Sequence, residues 1–135
     1  MRDGQVTLSG AHTVGAPDGG PGMPVMGWST EHGDLRIPHF VALHALQVLP
    51  LLAVALRRTR TSSGQRARLL LGFAASYGAL VGILLWQALA GQALLGGGPG
   101  FISALFAWLG LTAVVAWRSL AASTLSQQAA ALPVP

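Results

Sequence analysis

Twelve residues constrain this chain more than any others. At residues 57–68, Arg57, Arg58, Arg60, Arg66 and Arg68 supply five of the eight cationic side chains of the whole protein. They lie between an apolar run at residues 39–56 and another at 69–90, and a third apolar run follows at 101–117. At 1.5 Å per residue, about 20 residues cross the hydrocarbon core of a bilayer. The second run meets that length; the first and third are slightly short and need snorkelling ends or local thinning. The pattern predicts an all-α membrane protein with three transmembrane helices, over residues 38–56, 69–90 and 101–118, and an irregular extramembrane segment over residues 1–37.

Charge placement predicts direction. The chain has 135 residues, 9% of them charged, and a mean hydropathy of +0.56. Soluble domains carry about 25% charged residues. The net charge of +4 suggests a nucleic-acid binder only until it is located: residues 1–37 carry −2, residues 57–68 carry +5 and Arg118 adds +1. Positive charge flanking apolar spans marks the cytoplasmic side, so no nucleic-acid partner is expected. The loop at 57–68 and a tail at 119–135 are then cytoplasmic, while residues 1–37 and a Gly-rich turn at 91–100 lie outside. Trp86 and Trp117 sit near opposite interfaces, as an aromatic belt requires. The Ala/Gly/Arg bias fits a GC-rich bacterial source, and hence the bacterial inner membrane.

Cysteine is absent, which excludes disulfides, thiolate metal sites and covalent c-type haem. Lysine is absent too, which excludes Schiff-base chemistry and P-loop phosphate binding. No basic n-region followed by an apolar h-region opens the chain, so the first segment is expected to cross as a tail or to rest on a larger assembly. The cluster Pro17-Asp18-Gly19-Gly20-Pro21-Gly22 is dense in turn formers. Val25, Met26, Trp28, Leu35 and Ile37 nevertheless give the segment apolar anchors, so it is expected to pack on something. The tail ends in Leu132-Pro133-Val134-Pro135 without a motif.

Candidate chemistry is sparse. His44 and Gln47, three residues apart, share a face of the first span, and an intramembrane histidine is a functional candidate. It can serve as packing glue through a hydrogen bond to another helix, as a tetrapyrrole ligand, or as a quinone or proton contact. The second and third spans contain no histidine. His39 and His44 lie about 140° apart on one helix, so bis-histidine haem needs a second chain. A chlorophyll-type magnesium needs only His44, but Phe40 replaces the Ala that antenna polypeptides place four residues before the ligand, and an antenna subunit is not supported. On the outer side His12, Glu31, His32, Asp34 and His39 offer imidazole and carboxylate donors for zinc or another divalent metal, in a spacing that matches no metal signature.

Other features read as structural. Asp34 and Arg36 precede Pro38, which suits a first helical turn. Arg36 either snorkels or pairs with Asp34, and the group is read as capping. Pro50 predicts a kink. Ala74, Gly78 and Gly82 recur every four residues, a face that lets helices approach closely, with Gly72 and Ser76 as a second small pair; the partner helix is left open. The spans contain no carboxylate, Ser76 and Ser103 have no base beside them, and no internal repeat is present. Ion-coupled transport and catalysis therefore lack their usual residues.

The strings His12-Thr13-Val14-Gly15, Pro17-Asp18-Gly19-Gly20-Pro21-Gly22, Gly27-Trp28-Ser29-Thr30, Gly33-Asp34-Leu35-Arg36 and His39-Phe40, followed by Leu43-His44-Ala45-Leu46-Gln47, are fairly specific together. Over residues 10–52 the chain resembles a family of uncharacterised bacterial integral membrane proteins. The resemblance implies that this block lies just outside a membrane helix. Further helices often precede it, so the chain resembles the C-terminal part of such a protein. The resemblance implies no activity. It draws His12, His39, His44 and Gln47 together as a set and lowers His32, which stands where members tend to have Gly. The outer metal candidates become His12, Asp34 and His39.

Three functions compete. A small non-catalytic accessory subunit of a larger membrane complex, respiratory or photosynthetic, is favoured by size, flat helix faces and the lack of a catalytic set. It would contact lipids and other membrane subunits, and a pigment or quinone through His44. The alternatives are a haem- or quinone-binding electron-transfer protein and an outer-side metal-binding protein.

Overall fold

In the computed structural model of the chain, residues 11–59 and 61–130 are described, with side chains through Ser119. Two short strands, β1 (Thr13–Val14) and β2 (Gly33–Asp34), precede three helices: α1 (Arg36–Arg57), α2 (Ser63–Leu89) and α3 (Pro99–Ala130). All three helices are long and apolar enough to cross a membrane, and their apolar stretches are almost wholly exposed. In water such surfaces would aggregate; in a bilayer they are solvated. The chain is an all-α integral membrane protein, as its apolar runs require.

The helices overrun the apolar runs. The first span begins at Arg36 rather than 38, and the second at Ser63 rather than 69, so the expected loop at 57–68 shrinks to residues 58–62. Ser62 caps α2, its side chain accepting from the Gln65 amide at 3.3 Å. This Ser-x-x-Gln spacing is a capping-box pattern. Arg66 folds back onto the Thr61 carbonyl at 2.9 Å. The third helix starts at Pro99, where a missing N–H costs nothing, and runs to Ala130. Residues 119–130 of the expected tail are therefore helical. Apolarity marks only the part of a helix that lies in lipid, whereas Ala-rich polar sequence propagates helix beyond it. Pro50 lies inside an unbroken α1. Arg60, residues 1–10 and the terminal Leu132-Pro133-Val134-Pro135 lie outside the described residues.

The helix α2 occupies the middle, packing against α1 on one side and α3 on the other. Polar contacts lock both seams. The Tyr77 hydroxyl donates to the Val41 carbonyl of α1 at 2.6 Å, the Ser76 and Thr112 hydroxyls lie 2.8 Å apart, and Trp108 Nε1 donates to the Ser76 carbonyl at 2.9 Å. Such bonds are worth about 0.6 kcal/mol each in a membrane. Ile37, Leu84 and Phe101 form the buried core, with Trp28, Leu80 and Ile83 against it. That core sits where α1 begins, α2 ends and α3 begins.

The N-terminal block covers this same end. It is more regular than its composition implies. Strands β1 and β2 pair antiparallel, Thr13 opposite Asp34 and Val14 opposite Gly33. An inner hairpin is closed by a Gly22–Ser29 bridge and by the Met23 amide donating to the Trp28 carbonyl at 2.8 Å. At its tip Val25 is held at φ 73° and fully exposed, a strained conformation for a β-branched residue. Gly33 makes the dock: a Cβ there would overlap the Ala88 carbonyl oxygen of α2 and lie 3.1 Å from the Gly91 Cα. Of the expected apolar anchors, Ile37 is buried and Trp28 meets Phe40 of α1 edge-on with centroids 5.9 Å apart, whereas Val25 and Met26 are exposed at the hairpin tip and pack on nothing described.

Candidate functional site

Asp34 organises the block. It is 1% exposed. Its carboxylate accepts from the Ser29 amide at 3.0 Å, from the Arg36 amide at 3.0 Å, and from Arg36 Nε and Nη2 at 3.0 and 2.6 Å. Arg36 therefore pairs with Asp34, and its Nη2 also reaches the Gly27 carbonyl at 2.6 Å. The capping expected of this group is real but is made by Asp34, since the N-cap residue Leu35 contributes no side-chain bond. Burial pushes the Asp34 carboxyl upward, but the Arg36 hydrogen bonds and the Ser29 and Arg36 amides outweigh it and hold it below the usual carboxylate value.

Asp18 performs the same service for β1. Its carboxylate accepts from the Thr13 amide at 2.8 Å and the His12 amide at 3.3 Å, and stands 3.5 Å from His12 Nδ1. Hydrogen bonding from Thr13, side chain and amide, with help from His12, holds its carboxyl low against a smaller opposing effect of burial. The Ser29 hydroxyl in turn accepts from the His32 amide at 3.0 Å. The two aspartates thus supply acceptors for a turn-rich backbone that has few of its own.

This arrangement does not draw the expected outer metal set together around Asp34. Every hydrogen bond Asp34 makes goes to protein donors, and among the described residues no group of three or more His, Asp or Glu side chains is placed to hold a metal. Glu31 and His32 stay in the N-terminal block, on the walls of a second cleft. His12 and His39 do come together, not around Asp34 but on the walls of a cleft of about 490 Å³, with Arg36, Ala42, Val81 and Leu85. The second cleft, of about 370 Å³, lies within the block and shares His12 and Arg36 with the first.

His44 and Gln47 share the outward side of α1. The His44 Nδ1 lies 2.7 Å from the Phe40 carbonyl oxygen one turn earlier. A carbonyl only accepts, so Nδ1 carries a proton and Nε2 is the ring nitrogen left free of that bond. Phe40 lies against the ring with centroids 4.4 Å apart. Gln47 is exposed and has no hydrogen-bond partner among the described residues. At eleven residues beyond Arg36 it lies near the middle of the 22-residue helix.

The small residues of α2 divide. A Cβ on Gly72, Gly78 or Gly82 would meet nothing within 4 Å among the described residues, whereas Ala74 is half-buried and Ser76 joins the α3 seam. Sequence reasoning missed Asp18, Tyr77 and Gln87. The last is 1% exposed, donates from Nε2 to the Gln92 carbonyl and leaves Oε1 without a partner among the described residues.

Comparison with protein-family models, with curated proteins and with solved structures finds no match to this chain.

Proposed function

We propose that the chain is a small, non-catalytic accessory subunit of a larger bacterial membrane complex, respiratory or photosynthetic. The observation that carries this reading is the outward side of α1, where His44 and Gln47 interrupt an apolar surface at membrane depth. Polar groups facing hydrocarbon are costly and normally meet a neighbouring helix, a cofactor or a cavity. Gln47 is exposed and His44 is covered only in part, by Phe40 of its own helix, so a second membrane component meets them. The open glycine side of α2 supports the same reading, because small residues let a foreign helix approach closely. Positive charge in residues 57–68 and at Arg118 supports the bacterial inner membrane, with the N-terminal block outside and the C-terminal end of the chain in the cytoplasm.

A second reading rests on the His44 ring itself. With Nδ1 bonded to a backbone carbonyl, Nε2 is oriented as metal-ligating imidazoles are, which favours a tetrapyrrole metal supplied at the junction with the partner; a quinone carbonyl would instead need a proton on Nε2. Purification in mild detergent followed by visible absorption tests both. Co-purification of a larger assembly supports the subunit reading. A Soret band that is lost in His44→Ala supports the cofactor. A colourless, stable monomer contradicts both.

A further inference from the structure

The larger cleft combines two environments. Its upper wall holds Arg36, His12 and His39, all potential donors, and no carboxylate lines it. Its lower wall is Ala42 of α1 with Val81 and Leu85 of α2. The polar end lies where α1 begins and the N-terminal block rests; the apolar end continues down the α1–α2 seam into the spans. Asp18 and Asp34, the nearest carboxylates, are spent on backbone amides and on Arg36. Arg36 uses Nε and Nη2 for those bonds, and its Nη1 has no partner among the described residues. Two N–H groups of a guanidinium therefore remain at a site that borders lipid. Asp18 beside His12 Nδ1 holds that ring in place at the rim.

A few donors at the head of a mainly apolar trough match a phospholipid. We propose that this cleft is a specific binding site for a single phospholipid, its phosphate accepting from Arg36 Nη1 and the His12 and His39 rings and one acyl chain lying against Ala42, Val81 and Leu85. A guanidinium binds phosphate oxygens through charge-assisted hydrogen bonds, and imidazole N–H groups add further donors. The lipid seals the join between the N-terminal block and the α1–α2 seam. This site is separate from the His44 side of α1 and stands whether or not that side docks a partner.

The test uses the full chain, delipidated in detergent and titrated with phosphatidylglycerol, with bound lipid counted by native mass spectrometry. The expected result is one saturable lipid per chain, with affinity reduced about tenfold in His12→Ala/His39→Ala, as loss of two hydrogen bonds implies. Val81→Trp, which fills the apolar trough without touching a hydrogen bond, weakens binding to a similar degree. Diacylglycerol and inorganic phosphate bind far more weakly than the intact lipid. The proposal is overturned by the absence of a one-to-one adduct, by unchanged affinity in both variants, or by diacylglycerol or a quinone binding as tightly as the phospholipid. Inorganic phosphate bound as tightly as the lipid overturns it too, by reducing the site to an anion pocket.

Discussion

Removing the Asp34 carboxylate should open the N-terminal block while leaving the helices intact. Asp34→Ala strips the acceptor from the Ser29 and Arg36 amides and leaves the Arg36 guanidinium without its counter-ion. Breaking a buried ion pair costs about 3–5 kcal/mol. The Arg36 side chain is 39% exposed and regains water once released, so the cost falls to about 2–3 kcal/mol by the same reasoning. At 1.4 kcal/mol per factor of ten, that is roughly a 30- to 140-fold rise in the population of the open block. Hydrogen exchange read by mass spectrometry in detergent measures it directly: peptides covering residues 29–36 should exchange faster by that factor, and peptides within α2 should not change. Asp34→Asn keeps one carbonyl acceptor but loses the charge, so it should fall between wild type and Asp34→Ala. Less than a threefold change in either variant would refute the assignment of Asp34 as the organiser of the block.

Further outcomes follow from the same geometry. The low-held carboxyls of Asp34 and Asp18 contribute stability that is present above the unfolded carboxylate value of about 3.9 and lost as pH falls through the still lower folded values. Protection in the block, corrected for the intrinsic pH dependence of amide exchange, should therefore fall below about pH 4, and the Asp34→Asn variant should show a weaker acid dependence. Gly33→Ala forces a methyl into the Ala88 carbonyl; β2 should lift from α2, with Trp28 fluorescence shifted by loss of its packing in a background where the other tryptophans are replaced by Phe. Tyr77→Phe removes the bond to the Val41 carbonyl and should lower thermal stability in detergent by about 0.6 kcal/mol, up to about 1.7; no measurable change would mean that the α1–α2 seam does not depend on it.

The spans were legible because apolar length is a direct consequence of bilayer thickness, and nothing elsewhere in the chain can override it. Helix ends were less legible. The Ser62–Gln65 cap was present in the sequence, but apolarity alone stops short of it, and the polar residues 119–130 carry no apolar signal for helix. Asp34 and Arg36 could be named as a pair from their spacing, since both lie at one turn. The partners of Asp18 depend on how the Pro17–Gly20 turn folds back onto β1. The demand for glycine at 33 arises from Ala88, far along the chain, and no local pattern reports it. The Ala74, Gly78 and Gly82 repeat reads as a smooth face, but a repeat cannot say whether the helix that uses it belongs to the same chain. His12 and His39 were grouped by residue type for metal binding. Folding does bring them together, with an arginine beside them in place of the expected carboxylate.

The central claim is that the outward side of α1 is covered by another membrane component. Native mass spectrometry of assemblies ejected from the source membranes tests it most directly. The account predicts that the 13.9 kDa chain leaves the membrane within a heavier assembly, and that His44→Leu/Gln47→Leu releases it although the helix becomes more apolar. A wild-type chain ejected alone, or a double variant retained as firmly as wild type, would contradict it.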